Sequence, residues 1–297
     1  MTGSRRCGLV AVCLVLVLAT CPSPGHALQG PFHKCPDVEQ AEVTEHSAEL
    51  NLVSAVEEPH GTLHQLVHEA EDLLQRCPDN ERLWYELIRG DEMLLEYSMA
   101  SGQPVMTSLA KLTAEAVRRI PDSPRIALVD ARARPEPEHV AALVARFPEF
   151  APLRVALARA QLDSGDVDAA AETFAVLKNA KSVSGAVEIL AAIKLAKGDP
   201  AGALKTLASE AVRDSVGSES DWWTGRLRRQ RAEVAYQAHL ALHHPAAALR
   251  PLLDAAERGS KAAQELLKKP DPPLAKAIAA ARRSGKLDAR DRDYLRK

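Results

Sequence analysis

Three groups of side chains in this sequence have the residue types and spacing to do chemistry. The stretch "HGTLHQLVHEAED" sets His60, His64 and His68 at four-residue intervals, and Asp72 continues the row. On an α-helix that spacing aligns side chains along one face. Two imidazoles one turn apart, joined by a carboxylate, could hold zinc. A second stretch, "HLALHHP", repeats the same interval at His239 and His243, with His244 beside them. The third group is a repeated tripeptide. Cys-Pro-Asp occurs in "GPFHKCPDVEQAEV" and again in "LLQRCPDNERLWYEL", placing Cys35 and Cys77, the only cysteines after Cys21. Such a pair could be a disulfide, two metal ligands or a structural boundary used twice.

The surroundings decide how much chemistry to expect. Neither histidine group contains the H-E-x-x-H pattern of a zinc hydrolase. Pro59 and Gly61 place His60 ahead of the following helix, and Leu63, Leu66, Val67 and Ala70 form that helix's apolar stripe. The histidines are thus expected on a solvated polar face. A metal or small-ligand site on His64, His68 and Asp72 is the alternative. There is no G-x-S-x-G elbow, phosphate loop or dinucleotide fingerprint. The carboxylates are scattered at helical surface spacing rather than set among apolar residues that would raise a pKa. The chain is expected to be no enzyme and to carry no cofactor. The basic run "RLRRQR", Arg226 to Arg231, follows Trp222 and Trp223. It suits a solvated helix face, with one tryptophan packed under the loop between repeats, or else an anionic partner or glycan.

The ends and the composition set the compartment and fold class. Arg5 and Arg6 precede an uncharged apolar run from Gly8 to Thr20, too short to span a bilayer comfortably and shaped like an export signal. Cleavage after Ala27 would release a soluble protein; "LATC" instead resembles a bacterial lipobox that would make Cys21 a lipid-bearing N-terminus, although Thr20 stands where Gly, Ala or Ser is usual. The reading is an exported bacterial protein, periplasmic or tethered, that meets membrane only through its signal or lipid. Aromatic residues make up 4% of the chain and alanine and leucine abound, which favours helix over sheet. From Leu28 to Phe150 there are 22 acidic and 11 basic residues, a net of −11; from Ala151 to Lys297 there are 18 and 25, a net of +7. The basic half has neither interleaved aromatics nor a nucleic-acid-binding motif, so no nucleic-acid partner is expected.

Internal similarity gives the architecture. "GDVDAAAETF" begins at Gly165, "GDPAGALKTL" at Gly198 and "HHPAAALRPL" at His243, the last after a longer interval than the first two. Each follows an Ala/Leu-rich segment. Gly suits the left-handed end of one helix, Asp can cap the next, and Pro fits its first turn. A later alanine allows two helix axes to approach closely. Such a hairpin keeps one apolar side that only a stacked neighbour can bury. In both Cys-Pro-Asp stretches Pro ends one segment and Asp can cap the next. An α-solenoid of stacked hairpins is expected over 61–258. Residues 1–27 would be the signal, 28–60 an N-terminal extension with a helix, and 259–297 capping helices with a charged tail.

The unit resembles the tetratricopeptide repeat, a helix–turn–helix with a period of about 34 residues. Pro78 falls at the repeat-closing proline, and Trp84 and Leu87 at the Trp and Leu of the first helix. Leu157 and Ala158 take the Leu-Gly positions, Ala170 the crossing alanine and Phe174 the second-helix aromatic. Arg154 stands in place of the Trp, "RLWYELIRGDEMLLEYSMA" is long, and residues 122–150 form a short hairpin without a Gly-Asp turn. The resemblance implies a concave groove lined by first helices. Transferred by position, its contacts are Arg82, Tyr85, Arg89, Glu92, Arg159, Asp163, Glu188, Gln230, Glu233 and Gln237. The expected function is a non-enzymatic scaffold that binds envelope proteins. Cys77 then marks a repeat boundary and Cys35 a candidate N-terminal counterpart, rather more than one period earlier. Strictly equivalent sites would lie ~8–10 Å apart, beyond the ~7 Å limit for bridging. The mismatch with one period leaves room for closer approach, and export favours oxidation, so a Cys35–Cys77 disulfide is expected.

Overall fold

Runs of alanine, leucine and long-chain charged residues, punctuated by Gly and Pro, become helices throughout. A computed structural model describes residues 35, 37–52, 59–101, 109–177, 183–208 and 221–285, with 287, 291 and 295 singly. The signal segment 1–27, including Cys21, lies outside these residues, as do the side chains of His60, Trp222, Trp223 and Arg226.

The chain is all-α, with fourteen helices and no strand among the described residues. They are α1 (Asp37–Leu52), α2 (Pro59–Arg76), α3 (Glu81–Ser101), α4 (Leu109–Arg119), α5 (Pro124–Ala133), α6 (Pro137–Arg146) and α7 (Ala151–Asp163). There follow α8 (Val167–Ala175), α9 (Ala186–Ala196), α10 (Pro200–Ala208), α11 (Asp221–Ala241), α12 (Pro245–Glu257), α13 (Lys261–Lys268) and α14 (Pro272–Arg283).

The substantial helix contacts all run between nearest or next-nearest neighbours in sequence. Next-nearest contacts join α1 to α3, α3 to α5, α5 to α7, α7 to α9 and α9 to α11, so the odd-numbered helices form one continuous row. Each even helix from α2 to α10 packs against the odd helices on either side of it. The row changes register at its end, where α12 contacts both α13 and α14.

The apolar interior divides the same way. Val155 and Ala158 of α7, Ala170 and Phe174 of α8, and Ile189 and Ile193 of α9 form one cluster. Ala191 of α9, Ala203 and Leu207 of α10, and Val234 and Ala238 of α11 form the next. In these clusters neither helix hairpin closes its own core, and each depends on the following odd helix.

The three aligned turns share one backbone design. Gly165 and Gly198 take φ of +87° and +81°, and His243 adopts the same left-handed region at 59°. In each, two amides reach back to the preceding helix: Gly165 and Asp166 to Leu162 and Gln161, Gly198 and Asp199 to Leu195 and Lys194, His243 and His244 to Leu240 and His239. This is the Schellman arrangement. Asp166 caps Ala169 and Asp199 caps Gly202, whereas His244 makes no side-chain cap. Ala170, Ala203 and Ala248, at equivalent places in the three units, are all 0% exposed. The repeat thus survives at His243 without its glycine, at a steric cost of roughly 1 kcal/mol. His243→Gly is expected to raise stability by about 0.5–1 kcal/mol, and Gly198→Ala to lower it by a similar amount, measured by urea unfolding.

Three local expectations are corrected. α2 starts at Pro59, so His60 is its second residue rather than a residue ahead of it; Pro59 is suited to a first turn because no N–H is needed there. The stretch "DSVGSESDWW" reads as a polar loop, but its last three residues, Asp221, Trp222 and Trp223, already form the first turn of α11. After Cys77, the cap of α3 is Asn80, whose Oδ1 accepts from the amides of Arg82 and Leu83; Asp79 stays in the turn.

Candidate partner-binding face

The ten positions expected to meet a partner all lie on odd helices: α3, α7, α9 and α11. Their side chains divide into two sets. The first is engaged within the fold. Arg89 is buried and donates to Glu86 at 3.0 Å, while Arg82 approaches the other oxygen of Glu86 at 3.7 Å. Glu188 is buried too, and Arg231 of α11 reaches it at 2.9 Å, bridging neighbouring helices of the row. Arg159 and Asp163, half-exposed and exposed, pair with each other at 2.8 Å. The expectation that Arg89 and Glu188 line an open groove is therefore at odds with their burial. Both replace lost hydration with a partner of opposite charge, the usual condition for burying a charge.

The second set faces outward to differing degrees. Tyr85 and Glu92 are partly exposed on α3, as are Gln230 and Glu233 on α11; Gln237 is exposed. Gln230 keeps a buried Nε2 with no hydrogen-bond partner among the described residues. The basic run is dispersed by the helix turn: Arg231 pairs with Glu188, Arg229 donates to the Arg258 carbonyl at 3.4 Å, and Arg228 is exposed.

The histidine row does not converge. His64, His68 and Asp72 are exposed on α2, and His68 contacts Glu71 at 3.5 Å. Among the described residues no three His, Cys, Asp or Glu side chains are grouped as a metal ion would need. At the second group His239 is partly buried, which holds its imidazole below its ordinary pKa, with a smaller push from His244. His243 and His244 are exposed turn residues. Cys35 and Cys77 lie at disulfide distance, with Cα atoms 5.5 Å apart. Asn80 Nδ2 donates to Cys35 Sγ at 3.2 Å, and Trp84 Nε1 to the Pro78 carbonyl at 2.8 Å, so the bend between α2 and α3 is held from several sides.

Sequence reasoning missed several buried charges. Asp130, 3% exposed, gathers Arg134 at 2.6 Å and His139 at 3.0 Å and ties the α5–α6 connection. Asp91 on α3 is also buried, against the expectation that no carboxylate is set among apolar residues. Burial, with a smaller repulsion from Glu71, raises its pKa to about 6. Its neighbour Gly90 offers the local clue, because a Cβ there would stand 2.8 Å from Val67 Cγ2, marking close approach of α2 and α3.

The sign of the resulting pH dependence is definite. A carboxyl whose folded pKa lies above its unfolded value favours the protonated folded state. The contribution of Asp91 to stability is therefore fully present below about pH 4, is lost as pH rises through about 6, and stays absent beyond. Asp91→Asn is expected to stabilise the chain by about 1–2 kcal/mol at pH 7.5 and to give no gain at pH 4, read from urea midpoints at the two pH values.

No helix among the described residues is long and apolar enough to cross a membrane. No model of a known protein family and no curated protein sequence matches this chain.

Proposed function

We propose that the protein is a non-enzymatic scaffold of the bacterial envelope, an α-solenoid of tetratricopeptide-like hairpins that holds a folded or helical partner against its odd-numbered helices. The observation that carries this reading is the continuous row α1–α3–α5–α7–α9–α11, each member joined to the next through space. A row of this kind offers an extended surface whose outer side chains come from many separate hairpins. Tyr85, Glu92, Gln230, Glu233 and Gln237 are the positions for contact, with the Arg159–Asp163 pair between them. The mix of amide, carboxylate and phenol suits a polar partner surface, and among the described residues the row lacks the dense Lys/Asn clamp that would take a terminal carboxylate. Export to the periplasm, or tethering through Cys21, supplies the compartment, and a disulfide is compatible with it.

Site-specific photo-cross-linking in intact cells tests the reading. A photoreactive residue at Tyr85 or Gln237 should trap one discrete partner, whereas the same residue at Glu172 of α8 or Lys205 of α10 should not. Equal trapping from the even helices would overturn the odd-helix face as the binding surface. Retention of stoichiometric metal after dialysis, lost in His64→Ala/His68→Ala, would favour a metal-binding role instead.

A further inference from the structure

The charge along the chain is graded more steeply than its two halves suggest. Residues 37–101, which contain α1 to α3, hold 16 acidic and 3 basic side chains, a net of −13. Residues 102–208 hold 12 and 14, a net of +2, and residues 209–297 hold 12 and 18, a net of +6. The contact ladder turns this gradient into geometry. None of the substantial contacts links α1–α3 to α11–α14, so the acidic and basic helices stand at opposite ends of the ladder of helix contacts.

The side chains at those ends are set outward. On α1, Val43, His46, Ser47 and Leu50 are buried towards α2 and α3, while Glu45 and Glu49 are exposed. On α2, Glu71 and Asp72 are exposed as well. At the other end Lys261, Lys269, Lys276 and Arg283 are exposed and have no ion pair among the described residues. Among the described residues the only large hydrophobic side chain that is strongly exposed is Val176, just after α8 in the middle of the array. The formal net charge of the whole chain is only −2, and little overall repulsion keeps copies apart.

We propose that copies of this chain associate head to tail, the acidic edge at α1 and α2 of one meeting the basic edge at α13 and α14 of the next. The occupant of each end is a second copy because the complementary surface is present on the same chain. The contact is heterologous, so each addition leaves one acidic and one basic end free, and assembly has no built-in stop. It uses none of the contact positions assigned to the partner face, which lie on α3, α7 and α11, and it stands whether or not those positions bind a partner. Because the attraction comes from exposed charge, it fades as the Debye length falls from about 20 Å at 20 mM salt to about 4 Å at 500 mM.

Sedimentation velocity of the purified chain over a concentration series gives the test. In 20 mM NaCl the weight-average mass should rise continuously with concentration past that of two chains, and in 500 mM NaCl it should return to one. Glu45→Gln/Glu49→Gln and Lys269→Gln/Lys276→Gln should each lower the association constant at least tenfold when alone. Mixed together, they should form one-to-one dimers and stop there, since each retains one working end. Circular dichroism of both variants keeps a loss of fold distinct from a loss of contact. A monomer at every salt concentration would overturn the proposal. So would a closed dimer indifferent to the Glu45/Glu49 change, or binding of the basic end to phosphatidylglycerol vesicles without self-association.

Discussion

Cys35→Ser is expected to cost the N-terminal part of the array about 4 kcal/mol. The bridge would close a sequence separation of 42, and the chain-entropy relation for a loop of that size gives about 4 kcal/mol at 25 °C. A Cα separation of 5.5 Å permits the link without moving either backbone. Cys35 is the cleaner site to change, because Cys77 is 2% exposed and belongs to the cluster of Val43, Leu74, Trp84 and Leu87. Cys77→Ser therefore loses packing along with the bridge and should cost more. The damage should also be local. In an array whose substantial contacts run between nearest and next-nearest helices, those of α11 to α14 do not involve α1 to α3. Hydrogen exchange should show lost protection across α1 to α3 and unchanged protection in α11 to α14. Reduction of the native chain should reproduce the Cys35→Ser profile, and Cys35→Ser should then be insensitive to reductant. An unfolding curve unmoved by reductant would mean that the two thiols are free.

What could be read from the sequence was what short-range backbone chemistry controls. Gly165 and Gly198 were legible because few other residues take a left-handed end, and Asp166 and Asp199 because a short carboxylate reaches an amide three residues on. His243 shows the logic from the other side: alignment placed it in the same turn although its residue type argues against that backbone. Even so, local chemistry has near-equivalent solutions one residue apart. Asp79 and Asn80 are both good caps, and which one serves depends on where the α2–α3 bend leaves the chain. The candidate face was less legible. Helical position puts Arg89 and Glu188 on a row with Tyr85 and Gln237. Whether a charged side chain on that row meets solvent or a neighbouring helix depends on residues far away, such as Arg231, 43 positions beyond Glu188. Asp91 escaped for the same reason: it is buried where α2 closes on α3 beside Gly90, with Glu71 of α2 near enough to repel it.

The Glu188–Arg231 pair gives the second large effect. Arg231→Ala is expected to destabilise the junction of α9 and α11 by about 2–3 kcal/mol. Removing one member of a buried pair strands the other, and a carboxylate with 6% side-chain exposure has little water to turn to. The figure sits below the roughly 3–5 kcal/mol of fully buried pairs because Arg231 keeps 37% of its side chain in solvent, and water can follow it inward. The asymmetry predicts a lesser cost of about 1 kcal/mol for Glu188→Gln, in which the guanidinium turns outward and the amide still accepts a hydrogen bond. Glu188→Met/Arg231→Met should recover most of the loss, because well-packed apolar side chains can replace such a pair at little cost. Urea unfolding of Glu188→Ala, Arg231→Ala and their double gives the coupling energy, expected to be about 2 kcal/mol. Fluorescence and hydrogen exchange should place the loss between α9 and α11, dividing one transition into two. If Arg231→Ala instead leaves stability unchanged, the pair contributes nothing to joining the helices.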